Sequence, residues 1–67
     1  MMMRIRELRE AANLTQKELA EEMGVQQNAV SNWEAEISLP KTKDLPLLAR
    51  TLGCSISDLY AENQDTA

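Results

Sequence analysis

Apolar residues recur along this chain at the three- and four-residue spacing of helices, and turn residues interrupt them at regular points. Ile5, Leu8 and Ala12 repeat with Arg and Glu between them, which predicts a first helix from Arg4 to Ala12 with Asn13 as its stop. Thr15-Gln16-Lys17-Glu18 has the form of a capping box, in which the Thr15 hydroxyl accepts from the Glu18 amide while the Glu18 carboxylate reaches back. Leu19, Ala20 and Met23 then supply the buried stripe of a short second helix. Gly24 ends it, and Val25 belongs in the core just beyond. A third helix is expected from about Gln26 to about Ala35, with a weak start because Gln is a poor N-cap residue. Ile37-Ser38-Leu39-Pro40 reads as a loop. Leu45, Leu47, Leu48, Ala49 and Leu52 give a fourth helix that begins no earlier than about Thr42, since Pro46 must lie in its first turn. Gly53 closes that helix. Ser55-Ile56-Ser57-Asp58 is a second capping box, opening a short fifth helix through Leu59 and Tyr60. No strand signal, internal repeat or low-complexity segment appears. The expectation is an all-α, five-helix domain over residues 1–60, followed by a polar, frayed tail at 61–67.

The third helix is the unusual one. At 100° per residue, Gln26, Ala29, Val30 and Trp33 share one side, which suits packing on a core. Gln27, Asn28, Ser31 and Asn32 share the other. A solvent-facing helix surface is ordinarily built from Glu, Lys, Arg and Gln, which are good helix formers. Here the outward face is uncharged and made of short amides and a hydroxyl, so helix stability does not account for it. Amides that bond adenine in a bidentate way would. Trp33, by contrast, sits at a core position, as does Met23.

Composition narrows the chemistry. With one Cys and no His in 67 residues, an intrachain disulfide and Cys/His zinc sites are excluded by count. Cys54 lies between a helix-ending Gly and a Ser cap, where a small buried hydrophobe is expected rather than a redox switch. The missing His removes the commonest general base, and no Ser or Cys has a recognisable activating partner, so no enzymatic activity and no cofactor are expected. No apolar run approaches a membrane span, and Met1 to Arg6 lead straight into an amphipathic pattern, which points to a soluble cytoplasmic protein. Seven Lys and Arg face eleven Asp and Glu, for a net charge of −4. Nucleic-acid binding would therefore depend on locally placed cations and helix N-termini rather than on a general basic field.

Taken together, Ile5-Arg6-Glu7-Leu8-Arg9, Leu14 to Ala20 (LTQKELA), Gly24-Val25, Val30-Ser31-Asn32-Trp33-Glu34, Pro40 and Leu48 to Ser55 (LARTLGCS) carry a resemblance. Residues 5–60 resemble the Cro and phage-repressor helix-turn-helix domains, the xenobiotic-response-element type. The resemblance implies a compact, lambda-repressor-like domain of five helices whose second and third form the helix-turn-helix. It also implies a sequence-specific transcriptional regulator, of repressor type, that binds pseudo-palindromic double-stranded DNA as a homodimer. Gln27, Asn28 and Asn32 match the family's base-reading positions, and Ser31 lies on the same face. Gln16 matches a phosphate contact at the start of helix two, with Lys17 in the same turn. Lys41 and Lys43 match the backbone-gripping loop before helix four, although ordinary loop solvation also suits them. Arg9 and Glu34 match a structural pair that bridges helix one to the end of helix three.

The chain departs from the family pattern after Glu34. The usual Asn-Gly-like turn and following cation are replaced by Ala35-Glu36-Ile37-Ser38. Losing the residue suited to a left-handed turn leaves room for helix three to run longer, and Glu36 would repel a phosphate. The dimer surface is expected at Ile56, Leu59 and Tyr60, with Ile37 as a further element. The acidic balance and the Glu36-Ile37 departure also fit a second reading, an antitoxin or other protein-interaction module that pairs the same fold with a toxin or another regulator.

Overall fold

Four α-helices and two short 3-10 turns build the chain in a computed structural model that describes residues 3–60. The helices are α1 (Ile5–Ala11), α2 (Gln16–Met23), α3 (Gln27–Glu34) and α4 (Leu45–Leu52). The tail expected at 61–67 lies outside the described residues. Among the described residues there is no strand, only an isolated antiparallel bridge between Met3 and Tyr60. The apolar stripes converge on one core of Ile5, Leu19, Ala20, Met23, Val30, Trp33, Leu48, Ala49, Leu52 and Leu59. Ala20 is 3% exposed, a small residue on the helix that packs against both α3 and α4. That packing fixes α3 across α2 and leaves the outward side of α3 uncovered.

The helix starts follow the sequence closely. At α2 the capping box is complete: the Glu18 amide donates to Thr15 Oγ1 at 3.0 Å, and the Thr15 amide donates to Glu18 Oε1 at 2.8 Å. Gln26 caps α3 in an extended conformation without a side-chain hydrogen bond, as its poor capping chemistry predicts. Pro46 falls in the first turn of α4, after a 3-10 turn at Thr42–Asp44.

All four helices end alike. The amide of a left-handed residue and the amide after it fold back onto the last carbonyls, the Schellman arrangement. The paired donors are Asn13 and Leu14 after α1, Gly24 and Val25 after α2, Glu36 and Ile37 after α3, and Gly53 and Cys54 after α4, at 2.9–3.3 Å. The turning residues have φ of 61° at Asn13, 70° at Gly24, 63° at Glu36 and 74° at Gly53. Asn and Gly tolerate this region; a glutamate pays roughly 1–2 kcal/mol for it. Helix three therefore does not run longer. The closing hydrogen bonds form in the usual place, with Ile37 donating to the Asn32 carbonyl at 2.9 Å, and Glu36 bears the strain. The end of α3 differs in a second respect. Leu14, Val25 and Cys54, which follow the other left-handed residues, pack against the core, whereas Ile37 is 74% exposed. Glu36→Asn is expected to raise stability by about 0.5–1 kcal/mol, or roughly 4 °C in melting temperature, measured by thermal circular dichroism.

The fifth helix is reduced to a single 3-10 turn, Ser57–Leu59. Its capping box does form, with Ser55 and Asp58 exchanging backbone-to-side-chain hydrogen bonds of 3.2 Å each. The chain is then drawn off: Tyr60 is extended (φ −106°, ψ 127°) and bridges Met3, and the Arg4 amide donates to the Leu59 carbonyl at 2.7 Å. Those contacts to the start of α1 take the place of another helical turn. Leu59 is fully buried beneath them, so it belongs to the core and not to a dimer surface.

Candidate nucleic-acid interface

The outward side of α3 is as the periodicity predicts. Gln27, Asn28 and Ser31 are exposed, and Asn32 is half-buried at the edge of the face. Val30 and Trp33 are buried behind them, so the amides stand on a rigid support.

Behind the face runs a continuous polar chain. The Gln27 side-chain amide donates to Gln16 Oε1 at 3.4 Å, and Gln16 Nε2 donates to Glu34 Oε1 at 3.0 Å. Glu34 accepts two bonds from Arg9, at 2.6 Å from Nε and 3.4 Å from Nη2. Arg9 Nη1 donates to the Leu14 carbonyl at 2.7 Å. Gln27, an expected base-reading position, is thus linked through the start of α2 and the end of α3 to α1. The Arg9–Glu34 pair expected from the sequence is present, with side-chain exposures of only 11% and 6%.

This environment sets the carboxylate's titration. Burial pushes the Glu34 carboxyl up, but the hydrogen bonds from Arg9 and Gln16 and the charges of Arg9 and Arg6 together hold it below the usual glutamate value. Arg9 moves the other way, raised chiefly by its hydrogen bond to Glu34, against the opposing effect of burial. A depressed carboxyl contributes stability above its unfolded-state pKa of about 4.3, and that contribution disappears as pH falls through the folded value. Melting temperature is therefore expected to fall as pH drops below about 4.3. Glu34→Gln, which has nothing to titrate there, should show a shallower fall over the same interval.

The remaining predicted residues lie outside α3. Gln16 opens α2, and Lys17 follows it, exposed. As the first two helical residues they have amides without an intrahelical acceptor, a favourable place for an anion. Lys41 and Lys43 are exposed on the approach to α4. Ile37 and Ile56 are exposed, at 74% and 42%, and Tyr60 is half-buried. Two features escaped the sequence. The first is that Gln16 is a link between Gln27 and Glu34, which no linear spacing reveals. The second is a cleft of about 290 Å³ lined by Arg6, Arg9, Gln16, Ser31, Glu34 and Ala35. The signal for Arg6 was available: it lies three residues before Arg9 and so shares its face of α1.

A family model for helix-turn-helix domains matches residues 5–59. The chain belongs to the helix-turn-helix family, in its Cro and phage-repressor form. Helix-turn-helix relatives include the transcriptional activator BcrR of Enterococcus faecalis, 32% identical over 58 residues that cover 87% of this chain and 28% of BcrR. The transcriptional regulator YobD of Bacillus subtilis (strain 168) is 34% identical over 62 residues, covering 92% of this chain and 55% of YobD. The chain thus spans about half or less of the length of these curated relatives. Among solved structures, the P22 c2 repressor in complex with a synthetic operator superposes with a TM-score of 0.79 at 33% identity, over 87% of this chain and 88% of that one.

Proposed function

We propose that this helix-turn-helix chain is a sequence-specific, double-stranded DNA-binding transcriptional regulator, without a catalytic role or cofactor, that acts in the cytoplasm and reads the major groove with α3. The observation that carries this reading is the uncharged, exposed amide face of Gln27, Asn28 and Ser31, with Asn32 at its edge, held by a buried Val30 and Trp33. Gln27, Asn28 and Asn32 read base edges, and Ser31 adds a hydroxyl beside them. Phosphates are held by the start of α2, through the second amide hydrogen of Gln16, the backbone amides and Lys17, and by Lys41 and Lys43 on the approach to α4. A repressor role is supported by the likeness to the operator-bound P22 c2 repressor, at 33% identity and a TM-score of 0.79.

The chain acts as a dimer on a pseudo-palindromic site, since about three base-reading side chains give one domain too little specific affinity. Ile37 and Ile56, both exposed, and the half-buried Tyr60 supply the surface; Leu59 does not. Selection from a random pool of duplexes tests the whole reading. Enrichment of one sequence with two half-sites about one helical turn apart is expected. A pool that stays random after repeated selection would remove it.

A further inference from the structure

The cleft between α1 and the end of α3 contains a cation that the assignment above leaves unused. Its charged lining consists of Arg6, Arg9 and Glu34. Arg9 is neutralised by Glu34 at 2.6 Å, in a pair almost closed to solvent. Arg6 is different. Its side chain is 71% exposed, and its partner is Glu10 at 3.5 Å, itself 59% exposed, outside the cleft lining. An exposed pair of this kind is readily exchanged for another anion. The lining therefore has one positive charge in excess, on a protein whose net charge is −4. Ser31 forms another wall, so the cleft opens beside the amide face of α3.

We propose that Arg6 is a DNA phosphate contact, gripping the strand that borders the groove occupied by α3. The inference rests on the DNA-binding reading and adds to it a cation on α1, beyond the lysines near α2 and α4. A strand lying along the amide face passes the mouth of the cleft at Ser31. There the Arg6 guanidinium turns from Glu10 to a phosphate, whose geometry its planar fork matches. In a protein short of cations this contact offsets the repulsion from Glu36. Glu10 competes for the same guanidinium and so holds binding below its attainable strength.

Titration of wild type, Arg6→Ala and Glu10→Ala against the selected duplex and a scrambled one, from about 50 to 200 mM salt, tests this. Arg6→Ala should melt with wild type but bind both duplexes roughly eightfold more weakly near 0.1 M salt, because one contact scales affinity as salt to the power of about −0.9. Its salt slope should be shallower by the same ~0.9, and Glu10→Ala should bind both duplexes more tightly. If wild type discriminates the selected duplex while Arg6→Ala keeps its affinity and slope, Arg6 touches no phosphate and the inference is overturned, with the DNA reading intact. If wild type binds neither duplex, the reading itself has failed and this inference falls with it.

Discussion

Arg9→Ala is expected to cost about 3 kcal/mol of folding stability, among the largest effects of any single substitution in this chain. The reason lies in what the change leaves behind. Glu34 would keep a carboxylate that is 6% exposed, with Gln16 as its remaining side-chain donor. Removing one member of a buried pair leaves an uncompensated charge, whereas removing both does not. A domain of this size has roughly 3–10 kcal/mol in all, so the variant should melt more than ~12 °C below wild type and, at the low end of that range, be partly unfolded at room temperature. Arg9→Met combined with Glu34→Leu should recover most of the loss, because the burial penalty disappears together with the attraction. Thermal melts by circular dichroism separate the cases. A single variant that melts within a few degrees of wild type would show that the pair is not what ties α1 to α3. The same substitution should also loosen the outward face of α3, since Glu34 orients Gln16 and Gln16 in turn accepts from Gln27.

The second large effect concerns recognition. Asn28→Ala or Gln27→Ala should weaken binding to the selected duplex by about 1–3 kcal/mol, roughly 5- to 150-fold, and relax base preference at the position each side chain reads. Binding to a scrambled duplex should barely change, because phosphate contacts position the protein and carry no sequence information. The two substitutions should differ in one respect. Among the described residues Asn28 makes no hydrogen bond to another side chain, whereas Gln27 donates to Gln16, so Gln27→Ala should also disturb the start of α2. Fluorescence anisotropy with the selected and singly substituted duplexes distinguishes them. If both variants bind the selected duplex as wild type does, these amides read no bases.

Most of the frame was legible because local chemistry decided it. The Thr15–Glu18 capping box, the helix-ending Gly24 and Gly53 and the apolar stripes of α2 and α4 each act within a few residues, and each formed as expected. The division of α3 into a buried and an exposed side was legible for the same reason: a 3.6-residue period needs no knowledge of the rest of the chain. What escaped depended on contacts distant in sequence. The fifth helix was lost because Tyr60 and Leu59 bond to Met3 and Arg4, over fifty residues away, and those bonds outweigh a further helical turn. The end of α3 departs from the sequence expectation because a residue's own preference does not alone decide its conformation. Glu36 has little affinity for a left-handed turn, yet the two hydrogen bonds that close α3 hold it there. The Gln16 link and the Arg6 cleft required three helices to be placed together, and only the shared face of Arg6 and Arg9 hinted at them.

If the amide face of α3 reads bases, it distinguishes one sequence from another. Competition titration of the wild-type chain measures this directly, with the selected duplex labelled and a scrambled duplex of equal length and composition as competitor, at a fixed, physiological salt concentration. The scrambled duplex should compete at least ~10³-fold more weakly, as base readout requires beyond phosphate attraction alone. Equal competition by the two duplexes would contradict it.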